Sequence, residues 1–228
     1  IYWCHINECD MTTHMIGDQL PTVTIETHGC KLNQADSTTL ALEFLGAGFR
    51  LVTENDQADV YVVNSCTVTH VADSKARHAI RAARRRNPDG MIVATGCYAE
   101  RAPDSLRAVD EVDLVVGNVE KTGLVRRILE WRRNHNIVPC VEGKDASLVD
   151  QPVNRNRAMV KIQEGCNQVC AYCIVPKVRG RERSRTPQEI LEEIAKYITL
   201  GYQEIVLTGT QLGTYGFDLR DMTLTKLV

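Results

Sequence analysis

The chain has 228 residues, a formal net charge of −2 at pH 7 and nine cysteines. This length allows one large or two ordinary domains, and the near-neutral charge excludes a protein-wide basic field for nucleic acid, so any such contact must be local. No apolar run approaches the roughly 18 residues of a membrane-spanning helix. An odd cysteine count without a secretory signal pattern favours a cytoplasmic location, where cysteines act as ligands rather than cross-links.

The first 20 residues show no clear hydrophobic periodicity. They contain potential metal ligands, namely Cys4, His5, Cys9 and His14. Because Met11 and Met15 also precede the first convincing strand, we interpret residues 1–20 as a disordered or extraneous extension.

Short apolar strands alternate with amphipathic helices in residues 21–134. The predicted strands are residues 22–26, 59–63, 91–94 and 113–117, and the predicted helices are residues 33–45, 71–86, 99–109 and 121–133. Strands joined by helices of this length form right-handed parallel crossovers. The sequence therefore predicts an α/β domain with a doubly wound parallel sheet, Rossmann-like or flavodoxin-like.

Three cysteines follow the ends of the first three predicted strands. Cys30, Cys66 and Cys97 each come just past a carboxyl end, about one strand-helix-strand unit apart. All three are expected at the same sheet edge, where open parallel sheets bind ligands. The alternative interpretation is three small buried apolar side chains.

A second set of cysteines directly follows the apolar run of residues 158–162. Cys166, Cys170 and Cys173 have C-x3-C-x2-C spacing, and residues 174–185 contain neither cysteine nor histidine. Thiolates select zinc, copper(I) or iron-sulfur clusters, and structural zinc usually takes four protein ligands. A metal centre with only three protein ligands would leave one coordination position open. An incomplete zinc knuckle or a chance triplet remains the alternative.

With Tyr172 in the aromatic slot, this spacing resembles the signature of radical S-adenosylmethionine enzymes. The resemblance implies that Cys166, Cys170 and Cys173 hold a catalytic 4Fe-4S cluster whose fourth iron is chelated by S-adenosylmethionine. Reduction then cleaves the sulfonium to a 5′-deoxyadenosyl radical, with Tyr172 packed near the adenosyl moiety.

The two halves together resemble the methylthiotransferase family over residues 23–215. The motifs are THGCKLN at residues 27–33, VNSCTVT at 63–69 and TGCYAE at 95–100. The resemblance implies a second 4Fe-4S cluster on Cys30, Cys66 and Cys97, whose open iron carries the sulfur to be transferred. It also implies a low-potential electron donor such as flavodoxin.

Residues 66–73 and 207–216 look most like the branch that modifies threonylcarbamoyladenosine in tRNA, the MtaB type. Those enzymes methylthiolate carbon 2 of the adenine next to the anticodon, so the expected partner is a tRNA anticodon loop. Family members usually have Ile-His where this chain has Thr210 and Gln211, which keeps the isopentenyladenosine branch open. The rival from another class is a non-catalytic zinc or RNA-binding module. The expected state is a monomer.

Residues 135–157 are polar and irregular and are interpreted as a linker in which Cys140 is a spare thiol. Beyond the second cysteine set, basic residues alternate at Lys177, Arg179, Arg181, Arg183 and Arg185. In an extended segment they would share one side, suited to phosphates or, for Arg185, to the carboxylate of S-adenosylmethionine.

The remaining pattern predicts the start of a partial β/α barrel in residues 158–228. Thr186 and Glu189 form a capping-box pattern that begins a helix, and residues 204–209 form the next parallel strand. The loop of residues 209–216, including Gln211, should line the cofactor pocket. Because only two strand-helix units are present, we expect a truncated radical S-adenosylmethionine domain.

Overall fold

The computed structural model describes residues 20–137, 156–168 and 170–228. The proposed extension apart from Leu20, and most of the proposed linker including Cys140, lie outside the described residues. Within the described ranges, every helix is too short or too polar to cross a membrane.

The first sheet has five parallel strands in the order β2-β1-β3-β4-β5. The strands are β1 Thr22–His28, β2 Arg50–Leu51, β3 Val60–Ser65, β4 Met91–Gly96 and β5 Leu114–Val116. This is the flavodoxin-like strand order, and the predicted α/β class is confirmed. β2 was not predicted, because two residues carry no readable periodicity.

Helices cover both faces of this sheet. They are α1 Lys31–Gly46, α2 His70–Arg86, α3 Cys97–Arg101, α4 Pro103–Arg107 and α5 Leu124–Asn134. Phe44 of α1 and Ile128 of α5 pack in one apolar layer, while Ile80 of α2 and Leu106 of α4 pack in the other. The single helix predicted over residues 99–109 is wrong, because Pro103 starts a new helix.

The pairing register of the parallel strands aligns the carboxyl ends of β1, β3 and β4. His28 pairs with Ser65, and Ser65 pairs with Gly96, so β1, β3 and β4 finish side by side. β3 and β4 are buried along their whole length, as expected for a parallel sheet covered on both faces. Whatever follows these three ends is therefore brought to one edge.

The second sheet has the order β7-β6-β8. Its strands are β6 Arg157–Glu164, β7 Arg183–Ser184 and β8 Glu204–Gly209, and its helices are α6 Val175–Val178, α7 Pro187–Thr199 and α8 Leu224–Leu227. β6 and β8 are parallel, and α7 connects them with Ile190 packed in a core shared with Val160 and Ile162. The predicted strand-helix-strand unit is present, whereas the short antiparallel β7 was not predicted.

The capping box at the start of α7 is present as predicted. The Thr186 hydroxyl accepts a hydrogen bond from the Glu189 backbone N–H (3.4 Å), and the Glu189 carboxylate accepts one from the Thr186 backbone N–H (2.8 Å). We expect Thr186→Ala to lower the free energy of unfolding by about 1 kcal/mol, since the Glu189 backbone N–H loses its acceptor. Urea unfolding of Thr199→Ala, an exposed site in the last turn, is the control, and an equal loss in both variants would contradict the capping role.

Candidate cluster sites and the seam between the domains

The structure brings the first cysteine trio to the edge where β1, β3 and β4 end. Cys30 is the N-cap of α1 and exposed, Cys66 directly follows β3, and Cys97 opens α3; the last two are buried. Burial raises the pKa of the Cys66 thiol, and the neighbouring Cys97 and Cys30 raise it further. The strand register thus brings all three cysteines to the expected edge of the sheet, and their role as cluster ligands stays a prediction.

Two glycines permit this convergence. Gly29 has φ +146° and Gly96 has φ +97°. A Cβ on Gly29 would lie 2.8 Å from the Cys66 Cβ, and one on Gly96 would overlap the Ser65 carbonyl oxygen. The backbone around the sulfurs is thus kept free of side chains, which suits a bulky group bound against it.

Polar side chains that the sequence analysis missed lie against these sulfurs. The Cys30 thiol is 3.8 Å from Asn33 Oδ1, and Asn118 Nδ2 is 3.5 Å from the Cys97 sulfur. Asn118 comes two residues after β5, at the same edge of the sheet. Its place just past a strand end is the one signal in the sequence, and a lone asparagine there is also common in loops.

A buried ion network, which we call the seam, joins the two sheets beside this trio. The Asp36 carboxylate of α1 lies 2.7 Å from Lys161 Nζ, 3.1 Å from Lys121 Nζ and 3.2 Å from Arg179 Nη2. Lys161 also reaches Glu164 at 2.8 Å. Since Lys161, Glu164 and Arg179 belong to the second half of the chain, the network fastens the two domains together.

The seam holds its central carboxylate in the charged form. Burial alone would raise the pKa of Asp36, but Lys121, Lys161 and Arg179 outweigh it and hold that pKa well below its usual range. Burial lowers the pKa of Lys121, whereas Asp36 and Glu164 raise that of Lys161 in spite of its burial.

We expect Asp36→Asn to lower the free energy of unfolding by about 3–5 kcal/mol, because it leaves buried cations without their shared counter-charge. Denaturant unfolding at neutral pH measures this loss. The pKa of Asp36 is depressed in the folded state, so its contribution is present at neutral pH and lost in acid. The difference in free energy of unfolding between Asp36→Asn and the wild type should therefore narrow as the pH falls below about 4.

Asp104→Asn is the control for this variant, since Asp104 pairs with Arg107 on the surface with 93% of its side chain exposed. A surface pair of this kind is worth about 0–1 kcal/mol. Equal stabilities of the two variants would show that the seam does not fasten the domains.

The second cysteine trio lies in the loop after β6. Cys166 is buried, Cys170 and Cys173 are exposed, and the Gln168 backbone N–H donates to the Cys166 sulfur at 3.4 Å. Gly165 has φ +75°, and a Cβ there would overlap the Arg181 carbonyl. The loop therefore requires glycine directly before its first cysteine.

The three residues predicted to contact the cofactor, Tyr172, Gln211 and Arg185, lie in three different environments. Tyr172 is 99% exposed beside the trio. The Gln211 backbone N–H donates to Gln163 Oε1 at 2.9 Å, which ties the loop after β8 to the carboxyl end of β6. Arg185 pairs with Glu193 and lines a cavity of about 590 Å³ that none of the six described cysteines lines. Its contact with S-adenosylmethionine stays a prediction.

The expected row of basic side chains on one side of an extended segment is wrong. Lys177 lies in helix α6, Arg179 turns into the seam, and Arg183 pairs with Glu164. Only Arg183 of the set lies in a strand, the two-residue β7, because a helical turn and the carboxylates of Asp36 and Glu164 direct the other side chains differently. Only Lys177 and Arg181 of the set remain exposed without an ion pair, among the contacts of the described residues.

Neither trio is drawn together tightly enough for one metal ion. Among the described residues, no three His, Cys, Asp or Glu side chains are arranged to hold a single ion. Direct zinc ligation needs each sulfur about 2.3 Å from the metal, whereas a four-iron cluster binds each thiolate at a different iron.

Two family models match the two halves of the chain separately. Residues 22–117 match the uncharacterized protein family UPF0004, and residues 160–221 match the radical SAM superfamily. The threonylcarbamoyladenosine tRNA methylthiotransferase MtaB of Bacillus subtilis is 39% identical over 215 residues, covering 92% of this chain and 48% of that protein. The MtaB of Aquifex aeolicus is 42% identical, covering 86% and 49%. The chain belongs to the radical S-adenosylmethionine methylthiotransferase family.

Both tRNA branches of this methylthiotransferase family are represented among the relatives. The tRNA-2-methylthio-N(6)-dimethylallyladenosine synthase of Clostridium botulinum strain Okra is 35% identical over 205 residues, covering 86% of this chain and 46% of that protein. The chain spans about half the length of the curated relatives it matches.

A solved structure with a similar fold is the radical S-adenosylmethionine methyltransferase TsrM from Kitasatospora setae. It aligns with a TM-score of 0.51 and 14% identity, covering 88% of this chain and 49% of that one. At this identity the likeness concerns the fold alone, and it supports the order of a flavodoxin-like sheet followed by the first strands of a β/α barrel.

Proposed function

We propose that this protein is a tRNA methylthiotransferase that adds a methylthio group to carbon 2 of N6-threonylcarbamoyladenosine beside the anticodon. The observation that carries the proposal is the presence of two separate three-cysteine sites joined by one buried seam. One trio sits at three level strand ends and the other in the loop after β6. A single cysteine trio would serve radical chemistry alone, without a place for the sulfur.

Cys166, Cys170 and Cys173 would hold the catalytic 4Fe-4S cluster. When bound together with S-adenosylmethionine, that cluster supplies the radical that opens the target carbon. The chain's own contribution is placement. The Gln168 N–H donates to the Cys166 sulfur, and the Gly165 turn fixes where the loop leaves β6. Tyr172, fully exposed here, is proposed to cover the adenosyl moiety.

Cys30, Cys66 and Cys97 would hold the auxiliary cluster and present the sulfur. Their site is half buried, since only Cys30 is exposed. Burial excludes water from two of the thiolates, and the open side at Cys30 gives access to the transferable sulfur. The target adenine must leave its stack to reach a recessed site, which favours an anticodon loop over duplex RNA.

The choice of the threonylcarbamoyladenosine branch rests on the identities of 39% and 42% to MtaB proteins against 35% to the dimethylallyladenosine synthase. The second candidate is the isopentenyladenosine branch, which the departure from the usual Ile-His at Thr210 and Gln211 keeps open. A low-potential donor such as flavodoxin, a monomeric state and a cytoplasmic location complete the proposal.

Anaerobic reconstitution tests the clusters. Two 4Fe-4S clusters predict about eight iron and eight sulfide per chain and a brown protein, whereas the zinc-module alternative predicts stoichiometric zinc and no colour. Mass spectrometry of tRNA nucleosides from cells in which the gene for this chain is disrupted tests the substrate. Loss of the methylthio group from threonylcarbamoyladenosine supports the first branch, and loss from isopentenyladenosine supports the second.

A further inference from the structure

Asn118 connects the Cys97 sulfur to the second domain. Its Nδ2 lies 2.7 Å from the Val178 carbonyl oxygen and 3.5 Å from the Cys97 sulfur. A carbonyl oxygen can only accept, so the amide nitrogen must face it and the orientation of the side chain is fixed. One amide hydrogen then points at Val178 and the other at the sulfur. The second domain thus aims a donor at the first domain's trio.

Arg179 brings a buried positive charge to the same place. Its side chain is only 3% exposed, and its Nη2 donates to Asn33 Oδ1 at 2.6 Å, the same oxygen that faces the Cys30 thiol. Its Nη1 is buried without a hydrogen-bond partner among the described residues and lies 3.6 Å from a Glu164 oxygen. The buried guanidinium is therefore separated from the Cys30 thiol by the Asn33 side chain alone.

The cations of the seam outnumber its carboxylates. Four cations, namely Lys121, Lys161, Arg179 and the exposed Arg183, meet two carboxylates, Asp36 and Glu164. An uncompensated buried charge is costly. Arg179 is held among Asn33, Asp36 and Glu164, and Asn33 in turn faces the Cys30 thiol, so this buried cation lies close to the first trio.

We propose that Asn118 and Arg179 are positioning residues that raise the reduction potential of a cluster held by Cys30, Cys66 and Cys97. The inference rests on the proposed function of that trio. Hydrogen bonds to cluster sulfurs and nearby positive charge stabilise the more negative, reduced state. Because Val178 and Arg179 end the turn that begins just after Cys173, the two donors are in place only when the two domains are docked.

The test is a redox titration, followed by electron paramagnetic resonance, of the reconstituted 228-residue chain and its Asn118→Leu and Arg179→Gln variants. At a fixed ambient potential we expect the ratio of reduced to oxidised auxiliary cluster to fall about tenfold in each variant, a shift of 59 mV for one electron. The other cluster should keep its potential. Arg179→Lys, which retains the charge, should restore part of the shift, which a purely structural role would not do.

Arg181→Gln is the matched control, since it removes an exposed arginine two residues away and should leave both potentials unchanged. Wild-type potentials in Asn118→Leu with about eight iron retained would overturn the inference alone. Asn118 lies outside the ion network, so this outcome decides the matter even if Arg179→Gln fails to assemble. About four iron in the wild type, unaffected by Cys97→Ala, would instead overturn the proposed function and the inference with it.

Discussion

Replacing Cys166 by alanine is expected to abolish reductive cleavage of S-adenosylmethionine and to lower the iron content from about eight to about four per chain. Cys166 is the buried member of its trio, and residues 174–185 offer no cysteine or histidine to replace it. Two thiolates cannot hold a cluster that already leaves one iron open, so the loss should be complete rather than partial.

Three readouts measure the effect of Cys166→Ala: iron and sulfide content, the change that S-adenosylmethionine makes to the electron paramagnetic resonance spectrum, and 5′-deoxyadenosine formed with dithionite as reductant. Cys140→Ala, a cysteine outside both trios, is the control and should match the wild type. Cleavage at the wild-type rate in Cys166→Ala, or wild-type iron, would contradict the assignment of this loop.

Much of the fold could be predicted because the strands are continuous apolar runs and the helices are amphipathic. The position of Cys97 illustrates why the first trio could also be predicted. It follows a fully buried strand, and parallel strands bring their carboxyl ends to one edge whatever the details of packing. β2 escaped prediction because its two residues gain their strand character only from pairing with β1.

The seam could not be predicted, since its partners are far apart in the chain. Asp36 meets Lys121, Lys161 and Arg179 across separations of 85, 125 and 143 residues. Each of these residues, taken alone, fits a solvated polar face. Their burial follows only from docking of the two domains, which periodicity within one domain does not encode. The alternation of basic residues therefore predicts a surface row that includes Arg179, rather than a buried ion pair.

Replacing Cys97 by alanine should separate the two halves of the proposed reaction. We expect about four iron per chain, as in Cys166→Ala, but with cleavage of S-adenosylmethionine retained and methylthio transfer lost. The reason is spatial separation. Cys97 opens α3 at the end of β4 in the first sheet, whereas the radical-forming loop leaves β6 in the second. Removing one sulfur site therefore leaves the other loop and its Gly165 turn intact.

The comparison of the two variants is sharper than either alone, because the iron loss is equal while the activities differ. Cys166→Ala and Cys97→Ala should show complementary spectra, each retaining the cluster that the other lacks. Only the cluster in Cys97→Ala should respond to S-adenosylmethionine. If Cys97→Ala also lost cleavage and all iron, the two sites would not assemble independently, and the argument from their spatial separation would be wrong.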